Sequence, residues 1–480
     1  MLTYPEIGFA CATLGSSAYL LYRERFSKKP LPPSPAGSYP LIGHALVLPK
    51  ESEHLTYAKW CKELNSDIIS VTVLGQTIVI LNRFDWGNGI TLLPYGPQWK
   101  KQRRIMHEVL KPSANVRNFA LFERETHGLL KRLAANPEHF EKEFRRTVAA
   151  EILSSVYGYT VEDTNDPLVR DSATIIENFT IAAIPGNFMV NFIPWLKYVP
   201  EWFPGAKWKR TIMEWKQLKG RVVNGPYEWA KAQIASGFAA PSIIQTHLSS
   251  IEGASNIDMV DEEENLKSVA VALFGAAADT THVSLMSFVL AMVRHPEVQT
   301  RAQEEIDRVT SSERLPNMAD RDSMPYVRCI IQEVLRWQLP LPLGVPRAMA
   351  EDDEYRGYFI PKGSIVMTNA WAMSRDDSVY KSPETFNPDR FLNTDTPGAP
   401  GFGFGRRSCP GNHYAEASLF ILIASVLAVF HISPKVNPVT GQEEIPEVKA
   451  TLHALVNRIL PFECTIKPRT TVHKELIDSA

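Results

Sequence analysis

The chain has 480 residues, of which 44% are hydrophobic and 22% are charged, a composition typical of a globular protein rather than a disordered one. It carries 51 basic and 53 acidic residues, and a net charge of −2 argues against a nucleic-acid partner. Its five cysteines are scattered and odd in number, which excludes a disulfide scaffold and a Cys-x-x-Cys metal or redox pair.

The N-terminus carries the first predicted element, a membrane anchor. Residues 7–22 lack any charge, and a basic cluster at 23–29 follows them. A cleaved signal peptide carries its positive charge before the apolar stretch, and the positive-inside rule leaves the residues after this anchor in the cytosol. The alternative is an amphipathic or buried N-terminal helix. We predict a transmembrane anchor over 1–22, a basic and proline-rich linker over 23–37 and a catalytic domain over 38–480.

The body of the chain predicts many helices and little sheet. A helical pattern at about 53–65 precedes two β-rich runs between 68 and 81, with Gly75-Gln76 as the turn of a hairpin. From about 97 to 335 the periodicity is mostly helical, and a second β-rich patch spans 344–367. The sequence therefore predicts a mainly α protein with a small β-sheet region, in the α+β class.

A glycine-rich segment over 401–411 presents a single cysteine. Its glycines suggest a phosphate loop, but a dinucleotide-binding loop needs Gly-x-Gly-x-x-Gly after a strand, and this segment meets neither condition. What remains is Cys409 just before an apolar helix at about 413–430, where the helix dipole and free N–H groups stabilise a thiolate. Such a thiolate suits a soft metal or haem iron, although a lone cysteine is more often structural.

This segment resembles the haem loop of the cytochrome P450 family, F-x-x-G-x-R-x-C-x-G, which it matches at Phe402, Gly405, Arg407, Cys409 and Gly411. The resemblance implies a helix-rich P450 fold and a haem b cofactor bound within this loop. It implies that Cys409 is the axial thiolate of the iron, that Phe402 packs beside it and that Arg407 binds a haem propionate.

The same resemblance implies a monooxygenase that inserts one oxygen atom from O₂ into a lipophilic small molecule. No flavin or NADPH site is apparent in the sequence. The electrons are therefore expected to come from NADPH through a separate NADPH–cytochrome P450 reductase.

A second signature of the family, E-x-x-R, is matched by Glu333 and Arg336. By itself, a glutamate and an arginine three residues apart on a helix would form a surface ion pair of little worth. In the family this pair is buried and joined by a later arginine, here Arg390. Because the loss of one member would leave a buried charge, we expect the three to serve folding and haem retention.

Asp279 and Thr280 lie in the middle of a predicted helix over about 262–294, where both residue types are unfavourable unless they have a function. The segment resembles the oxygen-activation motif of the family, with Ala277 in place of its usual glycine. The resemblance implies that Ala276 leaves room for dioxygen above the iron. It also implies that the Thr280 hydroxyl binds the oxygen and that Asp279 connects it to a water chain for proton delivery.

Weaker matches complete the expected site. Trp99 and Arg103 resemble the W-x-x-x-R pair that binds a haem propionate in the family, and Arg347 stands where a third propionate ligand is found. Leu343 and Val345, which precede Arg347, are expected to line the substrate pocket.

Two further segments bear on substrate entry. The aromatic run 192–203 falls where family members have a connection that dips toward the bilayer, so lipophilic substrates are expected to enter from the endoplasmic reticulum membrane. The chain departs from the family at 82–98, where 17 residues link the hairpin to Trp99. These are too few for the helix and loop that normally form the roof of the pocket.

The sequence thus predicts a single-pass, membrane-anchored haem-thiolate monooxygenase similar to fungal microsomal members of secondary metabolism, acting on a terpenoid or polyketide. One alternative is a haem-thiolate isomerase or dehydratase, against which the Asp279-Thr280 pair argues. The other is a poorly active haem-binding remnant, which the short 82–98 segment favours.

Overall fold

Helices make up most of the protein in the computed structural model. The structure describes residues 30–39, 42–49, 53–64, 66, 68–73, 76–78, 93, 95–161, 166–171, 174–175, 178, 198–203, 205–252, 258–451 and 455–480. The predicted anchor, most of the 82–98 segment and the first half of the aromatic run lie outside these residues.

The α-helices follow the sequence patterns closely. They are α1 (Glu53–Glu63), α2 (Pro97–Leu110), α3 (Pro112–Asn115), α4 (Phe119–Ala135), α5 (Phe140–Tyr157), α6 (Lys207–Ser236), α7 (Ile243–Ile251), α8 (Met259–Arg294), α9 (Pro296–Thr310), α10 (Pro325–Trp337), α11 (Ala370–Ser374), α12 (Asn412–Val429) and α13 (Thr471–Ser479). The helix predicted to start at 262 starts three residues earlier, because the Asp258 carboxylate caps the N–H groups of Val260 and Asp261.

The core forms around α8 and α12. Helix α12 is apolar on all sides and is buried along nearly its whole length, and the second half of α8, from Thr281 to Val293, is buried as well. Helix α8 packs against α2, α5, α6, α10 and α12. Both helices are long and apolar enough to cross a membrane, but 56% and 78% of their apolar windows lie inside the protein, as is typical of core helices.

The strands form several small antiparallel sheets rather than one. They are β1 (Val71–Val73), β2 (Gln76–Ile78), β3 (Arg347–Ala348), β4 (Asp353–Tyr355), β5 (Tyr358–Ile360), β6 (Ile365–Val366), β7 (Phe430–Val436), β8 (Glu443–Glu444) and β9 (Cys464–Pro468). The pairs are β1 with β2, β3 with β6 and β4 with β5, while β7 lies between β8 and β9. The predicted hairpin is confirmed, but Gln76 was wrongly assigned to its turn, since it pairs with Val73 as a strand residue.

The chain divides into two compact units. The first, Met1–Leu81 with Pro346–Met367, holds α1 and β1–β6, and the second, Asn82–Val345 with Thr368–Ala480, holds the remaining helices and β7–β9. In the first unit the proline-rich segment is attached through its carbonyls: Pro30 accepts from the Phe359 N–H at 3.0 Å, and Pro33 accepts from the Ser70 N–H at 2.9 Å. The division into anchor, linker and catalytic domain stays a prediction.

Candidate active site

The Cys409 loop is closed on itself by its backbone. The Cys409 N–H donates to the Phe402 carbonyl at 2.8 Å, which fixes the cysteine just before the first turn of α12. Gly403 and Gly405 have φ values of 67° and 59°, a left-handed conformation that glycine adopts without steric cost. Side chains at these two positions would strain the loop that presents the sulfur.

The Cys409 sulfur is prepared as a ligand by its neighbours. Burial raises the pKa of the Cys409 thiol, while the backbone N–H of Gly411 and the positive charge of Arg103 oppose that rise. An N–H group and a cation beside the sulfur stabilise its ionised form. A metal ion bound to the sulfur would complete the deprotonation.

Two arginines and a tryptophan lie beside this loop. The Arg103 Nη2 donates to the Ser408 carbonyl at 2.8 Å, and the Arg407 guanidinium lies over the Trp99 ring, 4.4 Å from its centre. Burial lowers the pKa of Arg407, and the nearby charge of Arg103 adds to this effect. The Arg407 Nη2 donates to the Leu93 carbonyl at 3.0 Å.

The Nη1 of Arg407 is buried and has no hydrogen-bond partner in the part of the chain that the structure describes. A buried charged donor without a partner is costly, and a second cation beside it favours an anion at this point. A haem needs a soft ligand for its iron and cations for its propionates, and the Cys409 sulfur with Arg103 and Arg407 supplies both. The residues present therefore fit a haem.

Helix α8 carries the predicted proton-handling pair. The Thr280 hydroxyl donates to the Ala276 carbonyl at 2.8 Å; Ala276 is exposed and Thr280 is half-buried. The Asp279 side chain is only 4% exposed and accepts three hydrogen bonds from Arg458, while the Arg145 Nη1 lies 3.9 Å from its Oδ1. Sequence motifs could not identify Arg145 and Arg458 as partners of Asp279, because both lie far from it in the chain and belong to no motif.

The second signature assembles as a buried ion cluster. Glu333 and Arg336 are fully buried and share two hydrogen bonds of 2.7 Å, and the Arg390 Nε donates to Glu333 at 3.0 Å. The remaining donors of Arg336 reach the carbonyls of Ser374 and Pro383 at 2.9 and 2.8 Å. Two guanidinium groups thus share one buried carboxylate, and backbone carbonyls accept from their remaining donors.

Three of the other predicted residues lie apart from this loop in the chain, whereas Phe402 belongs to it. Leu343 is buried and Val345 is half-buried in the turn after α10, and Phe402 packs against the main core. Arg347 opens strand β3 in the first unit and pairs there with Val366, whereas Cys409 belongs to the second unit. The roles expected for these residues stay predictions.

Comparison with known proteins identifies a single family. The model of the cytochrome P450 family matches residues 80–458. The chain is 36% identical to cytochrome P450 monooxygenase 98 of Postia placenta, over 97% of this chain and 96% of that protein. It is 37% identical to a cytochrome P450 monooxygenase of Armillaria gallica, over 94% of each chain. It is 34% identical to cytochrome P450 monooxygenase claR of Ampulloclitocybe clavipes, over 99% of this chain and 93% of that protein.

The alignment with the Postia placenta relative extends over 507 positions, more than the 480 residues of this chain. The relative therefore contains residues within the aligned region that have no counterpart here.

Proposed function

Because the chain belongs to the cytochrome P450 family, we propose that Cys409 is the thiolate ligand of its haem iron, with Arg103 and Arg407 on the propionates. An enzyme of this family is a haem-thiolate monooxygenase that receives electrons from a redox partner and acts on lipophilic substrates. The observation that carries the assignment is the buried Nη1 of Arg407, which has no hydrogen-bond partner among the described residues and lies in the loop that presents the Cys409 sulfur.

With a haem bound at Cys409, each residue around the loop would have a specific role. The Gly411 N–H holds negative charge on the sulfur, Phe402 shields the sulfur side of the loop, and the Trp99 ring keeps the Arg407 guanidinium in place. Arg347 is proposed as a further propionate ligand. When bound, the haem supplies the iron that activates dioxygen.

The scaffold of the loop is proposed to be the buried cluster of Glu333, Arg336 and Arg390. Arg336 ties α10 to the carbonyls of two neighbouring turns, and Arg390 ties the same glutamate to the 381–390 segment. A rigid support of this kind keeps the ligand loop in one conformation.

The pair Asp279 and Thr280 is proposed to move protons at the reacting centre. The Thr280 hydroxyl is held by a bond to a helix carbonyl, which leaves its oxygen free to accept a second bond. Asp279 is the adjacent group that exchanges a proton with water. The small side chain of Ala276, together with Leu343 and Val345, would border the substrate.

The cellular setting is proposed from the N-terminal sequence. An uncharged stretch followed by basic residues supports a single-pass anchor in the endoplasmic reticulum membrane, with the catalytic domain in the cytosol. There an NADPH–cytochrome P450 reductase would supply the electrons. The proposal includes a role in fungal secondary metabolism with a hydrophobic terpenoid or polyketide as substrate, and the relatives support the fungal monooxygenase class alone.

The ligand assignment is tested by spectroscopy of the purified holoenzyme. We expect Cys409→Ser to abolish the red-shifted band of the reduced carbon monoxide complex, because that band requires a thiolate ligand. The control is Cys464→Ser, which changes a half-buried cysteine in β9, and we expect it to keep the band. A Cys409→Ser protein that retained the band would show that another residue binds the iron.

A second candidate is a poorly coupled haem protein, in which electrons from the redox partner are lost without oxidation of a substrate. The short 82–98 segment favours it, because a pocket without its usual roof would admit water to the reacting centre.

A further inference from the structure

The Asp279 carboxylate is held by an arginine from the far end of the chain. The Arg458 Nη2 donates to Oδ2 at 2.9 Å, and its Nε lies 3.2 Å from both carboxylate oxygens. The Asp279 side chain is 4% exposed and that of Arg458 is 27% exposed. The planar guanidinium therefore fixes both the position and the plane of the carboxylate.

The backbone around Arg458 is fixed in turn. The Thr451 N–H donates to the Arg458 carbonyl at 2.8 Å, and the Arg458 N–H donates to the Thr451 hydroxyl at 3.1 Å. An isolated bridge joins Ala450 to Ile459, and the Asn457 N–H donates to the Pro340 carbonyl at 2.8 Å. We call residues 449–451 with 455–460 the C-terminal clasp.

Among the described residues, the other charged and titratable groups around Asp279 come from two helices. Helix α5 brings Arg145, whose Nη1 lies 3.9 Å from the carboxylate and whose Nη2 lies 3.4 Å from Glu141. Helix α8 itself brings His282, one turn further on. Burial lowers the pKa of His282 to about 3, and the charges of Arg145 and Arg458 add to this, so the ring is neutral. Arg458 is thus the cation in direct hydrogen-bond contact with Asp279.

We propose that Arg458 is a positioning residue for Asp279, through which the C-terminal clasp sets the orientation of the carboxylate that moves protons beside Thr280. This inference rests on the proton-handling role given above to Asp279. Without Arg458, the carboxylate loses three hydrogen bonds and keeps only Arg145, beyond hydrogen-bond distance. The Asp279 carboxylate then turns toward another partner, and proton delivery beside Thr280 slows.

The test compares Arg458 with Arg469, two arginines that each bind a carboxylate but in different parts of the second unit. Arg458→Gln removes the contact with Asp279, and Arg458→Lys keeps the charge without the planar fork. The matched control is Arg469→Gln, because Arg469 also binds a carboxylate through two nitrogens, that of Asp307 at 2.8 and 2.6 Å. That pair joins the C-terminal region to α9, away from Thr280.

The first measurement is the peroxide released per NADPH consumed by the holoenzyme with its reductase and no added substrate. Two electrons and two protons convert dioxygen to peroxide, whereas four of each convert it to two waters, so slow proton delivery raises the peroxide share. We expect the water-forming flux to fall about tenfold in Arg458→Gln, less in Arg458→Lys and not at all in Arg469→Gln. Equal peroxide shares in Arg458→Gln and Arg469→Gln would overturn the proposal.

The second measurement is independent of turnover. Hydrogen–deuterium exchange of peptides covering 455–460 should accelerate to the same extent in Arg458→Gln, in Asp279→Asn and in the double variant, because all three break one contact. Additive acceleration in the double variant would show that the two residues act separately. A missing thiolate band in the wild-type protein would instead disprove the proposed function.

Discussion

Glu151 in α5 is an acidic side chain almost completely buried in the helical core. Its Oε2 accepts a hydrogen bond of 2.5 Å from the Ser418 hydroxyl of α12, and its Oε1 has no hydrogen-bond partner among the described residues. Burial raises the pKa of Glu151 to about 8, and the bond from Ser418 only partly offsets this. The folded protein therefore keeps this carboxyl protonated at neutral pH, next to the helix that follows the Cys409 loop.

We expect this carboxyl to make stability fall as the pH rises. In the unfolded chain Glu151 loses its proton near its ordinary pKa of 4.5, while the folded protein holds the proton up to about pH 8. The contribution of Glu151 is thus fully present below pH 4.5 and is lost as the pH rises through about 8. Its total size is on the order of 5 kcal/mol.

The variant that tests this is Glu151→Gln. Its free energy of unfolding in urea is measured between pH 5 and pH 9. The stability of the variant relative to the wild type should improve from pH 5 to about pH 8 and level off above it, because glutamine has no proton to lose. Glu138→Gln is the control, since the Glu138 side chain is 65% exposed, and its difference from the wild type should stay constant. A constant difference for Glu151→Gln as well would mean that the buried carboxyl does not control the pH dependence.

At the level of elements, the buried cluster of Glu333, Arg336 and Arg390 joins helix α10 to the 381–390 segment. Glu333→Gln would leave two arginines without their carboxylate in the protein interior. Breaking a buried ion pair in this way costs about 3–5 kcal/mol, so we expect this variant to lose most of its stability and its haem.

A matched control tests the same segment from its exposed side. Arg301→Gln removes the ion pair with Asp389, whose partners are 48% and 50% exposed, and it should cost no more than about 1 kcal/mol. The measurements are the free energy of unfolding and the haem bound per protein. If Glu333→Gln proved as stable as Arg301→Gln, the cluster would not be the scaffold of the loop.

Elements with strong local patterns, including the β1–β2 hairpin, could be predicted from the sequence, and a sheet that pairs distant segments could not. The periodicity of α8 and α12 was sufficient because their apolar residues define a buried helix on their own. The β8–β7–β9 sheet was missed. Strand β7 starts directly after α12 and contains Pro434, and its partner β9 begins 28 residues after it ends, so only tertiary pairing reveals it.

At the scale of the whole molecule, the candidate site combines local motifs with contacts between distant parts of the chain. Cys409 and its glycines could be recognised because the loop is continuous in sequence. The contact of Asp279 with Arg458 spans 179 residues, and the orphaned donor of Arg407 depends on the packing of α2 against the loop. Side-chain partners of this kind follow from the fold and leave no spacing in the sequence.

The 82–98 segment is short, and its shortness affects the closure of the pocket rather than the residues proposed to bind the haem. Only 17 residues precede Trp99 after the hairpin, while the aligned Postia placenta relative has internal residues that this chain lacks. The groups proposed to hold haem, among them Cys409 and Arg407, lie elsewhere in the sequence. We therefore expect haem to bind normally while water enters the site and electrons are lost as peroxide.

The decisive variant inserts after Leu81 a designed helix and loop that can pack over the pocket. Better exclusion of water should lower the peroxide released per NADPH severalfold, with an unchanged carbon monoxide band. A glycine–serine insertion of equal length is the control, because it adds chain without a packed surface, and it should leave the peroxide yield as it was. A low peroxide yield from the 480-residue chain itself would show that the short segment already closes the pocket, and the monooxygenase would then be well coupled as it stands.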